Sequence, residues 1–116
     1  MTIRSFLTFC LTAIAGLVLS VAAFGQATTS LHGTVTDATG AIVPQANVTL
    51  TNLDTNQSRQ TTTTARGVYE MVSLLPGKYK LTIEARGFRT YVEPDLLLEV
   101  NLPATANISL KVGAAS

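Results

Sequence analysis

The chain has 116 residues, with eight Lys or Arg against seven Asp or Glu, one His and one Cys. That length suits one domain rather than two, and the sparse, balanced charge excludes an electrostatic footprint for nucleic acid or acidic lipid. Cys10 lies inside the leading apolar segment, so the remainder has no thiol for a disulfide, a Cys-ligated zinc site or a nucleophile.

Residues 1–4 form a short n-region carrying Arg4, and residues 6–24 are mostly apolar. Small residues then gather at Ala22-Ala23-Phe24-Gly25-Gln26-Ala27, where both Ala23-x-Gly25 and Gly25-x-Ala27 satisfy the small-x-small rule for cleavage. The segment is predicted to be a helical signal peptide over 1–25, cut after 25 or 27. A short linker over 26–30 follows. A retained anchor is the rival reading, because 6–24 is just long enough to span a bilayer as a helix. A lipoprotein is excluded, since Cys10 sits too early and follows bulky Phe9. The expected destination is the periplasm or outer membrane, or the secreted fraction.

Beyond the leader the period is two. Residues 30–37 alternate Leu31, Gly33 and Val35 against His32, Thr34 and Thr36, which predicts a half-buried strand. Ala38-Thr39-Gly40 is a turn, and Pro44 limits pairing after it. Residues 47–52 place Val48 and Leu50 opposite Thr49 and Thr51. Residues 58–64 form a polar strand whose threonines favour extension and whose lack of apolar side chains predicts an edge. Strands are expected next over 68–72 and, after Leu75-Pro76-Gly77, over 78–85, with Tyr79, Leu81, Ile83 and Ala85 inward. A short strand over 89–93 ends at Pro94, and strands over 96–102 and 104–112 complete the set. In the last of these Ala106, Ile108, Leu110 and Val112 share a face. Seven or eight short strands with regular turn signals predict an all-β fold, a two-layer antiparallel sandwich over 31–112 with a tail over 113–116.

The ordered set Gly33-Thr34-Val35-Thr36-Asp37, Gly40, Pro44, Ala46 and Val48 resembles the opening of a carboxypeptidase regulatory-like domain. Gly67-x-Tyr69, Leu75-Pro76-Gly77-x-Tyr79 and Ala85-x-Gly87-Phe88 match the second half of that family's pattern. The resemblance implies a seven-stranded antiparallel sandwich of the transthyretin (prealbumin) type. A signal peptide followed directly by this domain resembles the start of Oar-like TonB-dependent outer-membrane receptors, where a plug and barrel follow. This sequence stops at Ser116, so it is read as either a free-standing protein or a shortened relative of those receptors. Neither transport nor peptidase activity carries over.

His32 is the single histidine, which leaves no His pair for zinc and little for a Ser-His-Asp or Cys-His arrangement. It is expected to face outward from its strand. Asp37, Asp54, Glu93 and Asp95 lie near predicted turns without a calcium-loop spacing. Asn107 lacks the first-strand lysine that an internal isopeptide bond would need. The sequons at Asn47, Asn56 and Asn107 would be idle in a bacterium. The reading is therefore a protein that is not an enzyme and uses neither cofactor nor metal. It is expected to serve protein interaction or structural support at the envelope, by pairing of the edge formed by Arg59, Gln60, Thr61, Thr62, Thr63 and Thr64 with a partner protein. The alternative partner is a glycan, contacted by Phe88 and Tyr91 beside Arg86 and Arg89.

Overall fold

The computed structural model describes residues 3–5, 7, 8, 10 and 27–113. The predicted leader and its cleavage sites fall largely outside these residues, and its few described positions are helical. Among the described residues no helix is long and apolar enough to cross a membrane.

Two sheets form a sandwich. In one, β1 (Thr29–Asp37) lies between β4 (Val68–Leu74) and a last segment split into β7 (Ala104–Thr105) and β8 (Ile108–Leu110). The other has the order β3 (Ser58–Thr62), β2 (Asn47–Asn52), β5 (Gly77–Glu84) and β6 (Tyr91–Leu98). Among the described residues, counting β7 and β8 as one interrupted strand gives the seven expected. Strict alternation puts Leu31 and Val35 of β1, Val48 and Leu50 of β2, and Leu81 and Ile83 of β5 into one core. Tyr69, Met71, Leu98, Ile108 and Leu110 close it. Each fully buried aliphatic side chain contributes about 1.5–3 kcal/mol.

The last segment departs from an all-antiparallel sheet, because β7 and β8 both run parallel to β1. The chain leaves β6 in one sheet and crosses to the other near the start of β1, where the Thr29 hydroxyl donates to the Leu102 carbonyl at 3.0 Å. A crossover between sheets, unlike a tight hairpin, allows parallel pairing. The expected continuous strand over 104–112 is also interrupted at Ala106 and Asn107. There the Asn107 Oδ1 accepts from the Thr34 backbone N–H at 3.0 Å, taking the place of a ladder carbonyl. Val112, expected to share the buried face, is 74% exposed.

Two further expectations are corrected. Pro94 does not end a strand but lies within β6, an edge strand where a missing N–H costs no ladder bond. The β5–β6 register shifts between Tyr79 and Leu81, with three residues of β6 spanning two of β5, so Pro94 sits in a bulge. And β3 stops at Thr62, short of Thr63 and Thr64.

Candidate functional site

β3 pairs with β2 in unbroken register, from Asn47 opposite Thr62 to Thr51 opposite Ser58. The ladder is anchored at both ends, by Asn52 N–H to the Gln57 carbonyl at 2.8 Å and Thr63 N–H to the Ala46 carbonyl at 3.0 Å. Antiparallel ladders alternate between residues bonded to the partner and residues whose backbone groups point away. Ser58, Gln60 and Thr62 therefore direct their N–H and C=O groups outward from the sheet.

The other outer strands are blunted. β4 carries a bulge, since its register with β1 passes from Thr29 opposite Leu74 to Leu31 opposite Met71, and Ser73 adopts φ 56°. β6 holds Glu93, Pro94 and Asp95, and β7 and β8 are two and three residues long. Bulges, prolines, charges and shortness are the usual ways of closing an edge to foreign strands. β3 has no bulge and no proline, and Arg59 is its one charge.

The side chain of Arg59 turns toward the opposite sheet. Arg59 faces Leu50 across the ladder, so it lies in the inward row, and its Nη1 donates to the Val72 carbonyl at 2.6 Å and the Ser73 carbonyl at 3.4 Å. The bulge at Ser73 presents both carbonyls to the guanidinium. Under this clasp is a cleft of about 190 Å³ lined by Leu50, Asn52, Thr55, Gln57, Arg59, Ser73, Leu74, Leu75 and Tyr79. The Tyr79 hydroxyl donates to the Leu75 carbonyl at 2.6 Å.

Thr63 and Thr64, predicted to extend the edge, have other work. Thr63 is buried; its hydroxyl donates to the Val43 carbonyl at 2.7 Å and accepts from Ala46 N–H at 2.8 Å. Thr64 closes the turn into β4, its hydroxyl accepting from the N–H groups of Arg66 and Val68. A run of threonines gives no sign of where a strand stops and a loop anchor begins.

The four residues singled out for a glycan are divided between two places. Phe88 and Arg86 line a cleft of about 330 Å³ with Gln45, Asn47, Glu84, Ala85 and Thr90, and Phe88 is partly buried against the core. Arg89 and Tyr91 line a separate cleft of about 260 Å³ beside Ser109 and Lys111. The Tyr91 ring packs on the core and its hydroxyl donates to Glu93 Oε2 at 3.5 Å. Burial, and then the Glu93 charge, raise its pKa.

His32 is exposed on β1, with Nε2 3.0 Å from the Thr105 hydroxyl. Asp37 caps its own turn, Oδ1 accepting from the Thr39 hydroxyl at 2.6 Å and from the N–H groups of Thr39 and Ala41. Among the described residues no group of three or more His, Cys, Asp or Glu is placed to hold a metal ion.

A family model for the carboxypeptidase regulatory-like domain matches residues 30–111. No curated protein matches the chain significantly. Among solved structures, a candidate carbohydrate-binding protein from Bacteroides uniformis aligns with TM-score 0.60 and 17% identity, over 74% of this chain and 42% of that one. A 3-chlorocatechol 1,2-dioxygenase from Rhodococcus opacus aligns with TM-score 0.63 and 9% identity, over 77% of this chain and 61% of that one. A catechol 1,2-dioxygenase from Pseudomonas arvilla aligns with TM-score 0.61 and 15% identity, over 78% of this chain and 54% of that one. The chain thus spans between 42% and 61% of the length of these three structures.

The TM-scores establish a shared fold, and identities this low establish nothing beyond it. The matches also correct the expectation that the chain is not an enzyme, because the same sandwich occurs in dioxygenases. That expectation rested on familiar His and Cys motifs, whereas active sites are grafted onto folds in many forms and a scaffold does not exclude chemistry.

Proposed function

This chain belongs to the carboxypeptidase regulatory-like domain family, and from that membership we propose that it is an interaction module of the cell envelope that takes up an extended partner segment by strand addition along β3. The carrying observation is that, among the described outer strands, β3 alone is of ordinary length and free of bulge and proline, its one charge, Arg59, being turned in toward the opposite sheet, with Ser58, Gln60 and Thr62 presenting backbone groups outward. Main-chain hydrogen bonds supply affinity in such additions, and neighbouring side-chain sites supply selectivity. The envelope placement rests on the leader-like segment and on the resemblance of a leader plus this domain to the start of Oar-like receptors.

Gln60→Pro tests the reading. The Gln60 N–H points away from β2, so proline removes an outward donor without breaking the internal ladder. Envelope proteins captured by the wild-type chain should be lost with the variant while its circular dichroism is unchanged. Equal capture by a folded Gln60→Pro chain rejects strand addition.

A glycan is the second reading, favoured by the cleft of Gln45, Asn47, Arg86 and Phe88 and by the Bacteroides uniformis likeness. An aromatic edge among amide and charged side chains suits a sugar. Binding on a glycan array that disappears with Phe88→Ala supports it, and a blank array removes it.

A further inference from the structure

The regular β3 edge and the Arg59 cleft meet at one corner of the sandwich, and their relative direction determines which end of a partner would arrive there. Resting on the strand-addition reading, we infer that this cleft captures the C-terminal carboxylate of an extended peptide added antiparallel to β3, with Arg59 as the carboxylate's partner.

β3 starts at Ser58, and Thr55, Gln57 and Arg59, which line the cleft, flank that start. A strand added antiparallel to β3 runs from Thr62 toward Ser58, so its C-terminus reaches the cleft. Every pairing within this sheet is antiparallel, and antiparallel ladders are slightly the more stable kind.

The chemistry of the corner fits that end of a peptide. Arg59 carries five N–H donors. Only Nη1 is engaged with the Val72 and Ser73 carbonyls, and among the described residues no carboxylate is paired with the guanidinium. Those two carbonyls hold the side chain in place, so little rotamer freedom remains to be lost on binding. Leu50, Leu74 and Tyr79 give the cleft an apolar floor. At about 190 Å³ it is smaller than the roughly 300–1,000 Å³ of a drug-sized site, a scale suited to one terminal residue. An anion is the complement of a lone, fixed guanidinium, and a bidentate carboxylate matches its fork.

The probe is a pair of acetylated five-residue peptides, alternating Thr and Val and ending in Leu, one a free acid and the other a C-terminal amide. Each is titrated into the isotopically labelled full chain and followed by amide NMR and hydrogen exchange. The acid should bind about tenfold more tightly, the usual scale for a hydrogen-bonded charge. It should protect the Ser58, Gln60 and Thr62 amides. Arg59→Gln should bring the acid down to the level of the amide, and Arg59→Lys should retain part of the difference. Unchanged exchange at Leu50 and Leu81 in both variants shows that the sandwich is intact. Equal binding of acid and amide with those three amides protected overturns carboxylate capture and leaves strand addition standing. Binding of neither peptide overturns both.

Discussion

Gly33 and Tyr69 face each other across the β1–β4 ladder, and the Tyr69 hydroxyl donates to the Ala106 carbonyl that fills the space above Gly33. A β-carbon on Gly33 would overlap that carbonyl oxygen and come within 2.8 Å of the hydroxyl. Gly33→Ala should therefore destabilise the sandwich by about 3 kcal/mol or more, the upper range for overpacking against backbone. Urea denaturation reads the loss, and a wild-type midpoint would contradict it.

Tyr69 should make stability fall at alkaline pH. Burial, with a smaller contribution from the Tyr91 charge, raises its hydroxyl from 10.0 to about 12. Below pH 10 its contribution is complete. Between 10 and 12 the unfolded chain ionises first, and stability declines as pH rises. Tyr69→Phe should remove that step and cost about 1–2 kcal/mol at neutral pH, because the Ala106 carbonyl loses its donor. Denaturation curves from pH 8 to roughly 12 for both chains measure the two effects.

Asp37 acts in the opposite direction. The Thr39 hydroxyl, with backbone N–H groups of the same turn assisting, holds its carboxyl below 3.8. Its contribution is present above the unfolded value and disappears as pH falls through the lowered one. Thr39→Ala should move the Asp37 carboxyl resonance back toward the ordinary range in an NMR titration. An unmoved midpoint would reject the hydroxyl as the main cause.

Thr63→Val keeps the shape of a buried side chain but orphans Ala46 N–H and one hydrogen bond of the Val43 carbonyl. The expected cost is about 2 kcal/mol, with faster amide exchange at Ala46. Thr62→Val, on the exposed neighbour, should stay within about 0.5 kcal/mol of wild type.

Much of the sandwich was legible because its central strands alternate cleanly. β2 occupies the expected 47–52, since Val48 and Leu50 contrast with Thr49 and Thr51 at every step. In the sequence Pro94 reads as a terminator that divides β6 in two, because nothing local marks that strand as an edge. Alternation makes the last strand look continuous, since the sequence does not reveal that the Asn107 amide can replace a ladder carbonyl. At the candidate site the polar edge was visible in composition. The reach of Arg59 was not, because the Val72–Ser73 bulge that receives it is marked by neither glycine nor proline. Phe88 and Tyr91 looked adjacent in sequence, yet core packing turns them into different clefts.

The parallel pairing of β1 with β7 and β8 bears on how the chain acquires its structure. β1 is the first of the described strands to emerge, yet the partners on one of its sides lie more than 70 residues later, as in the bond from Thr34 to Asn107. Contacts that distant close a large loop before they return any stability, which slows folding. Until residues 104–110 are made, one side of β1 has nothing to pair with and Ile108 and Leu110 are missing from the core. A nascent chain would thus keep that side of β1 open until residue 110 has been made.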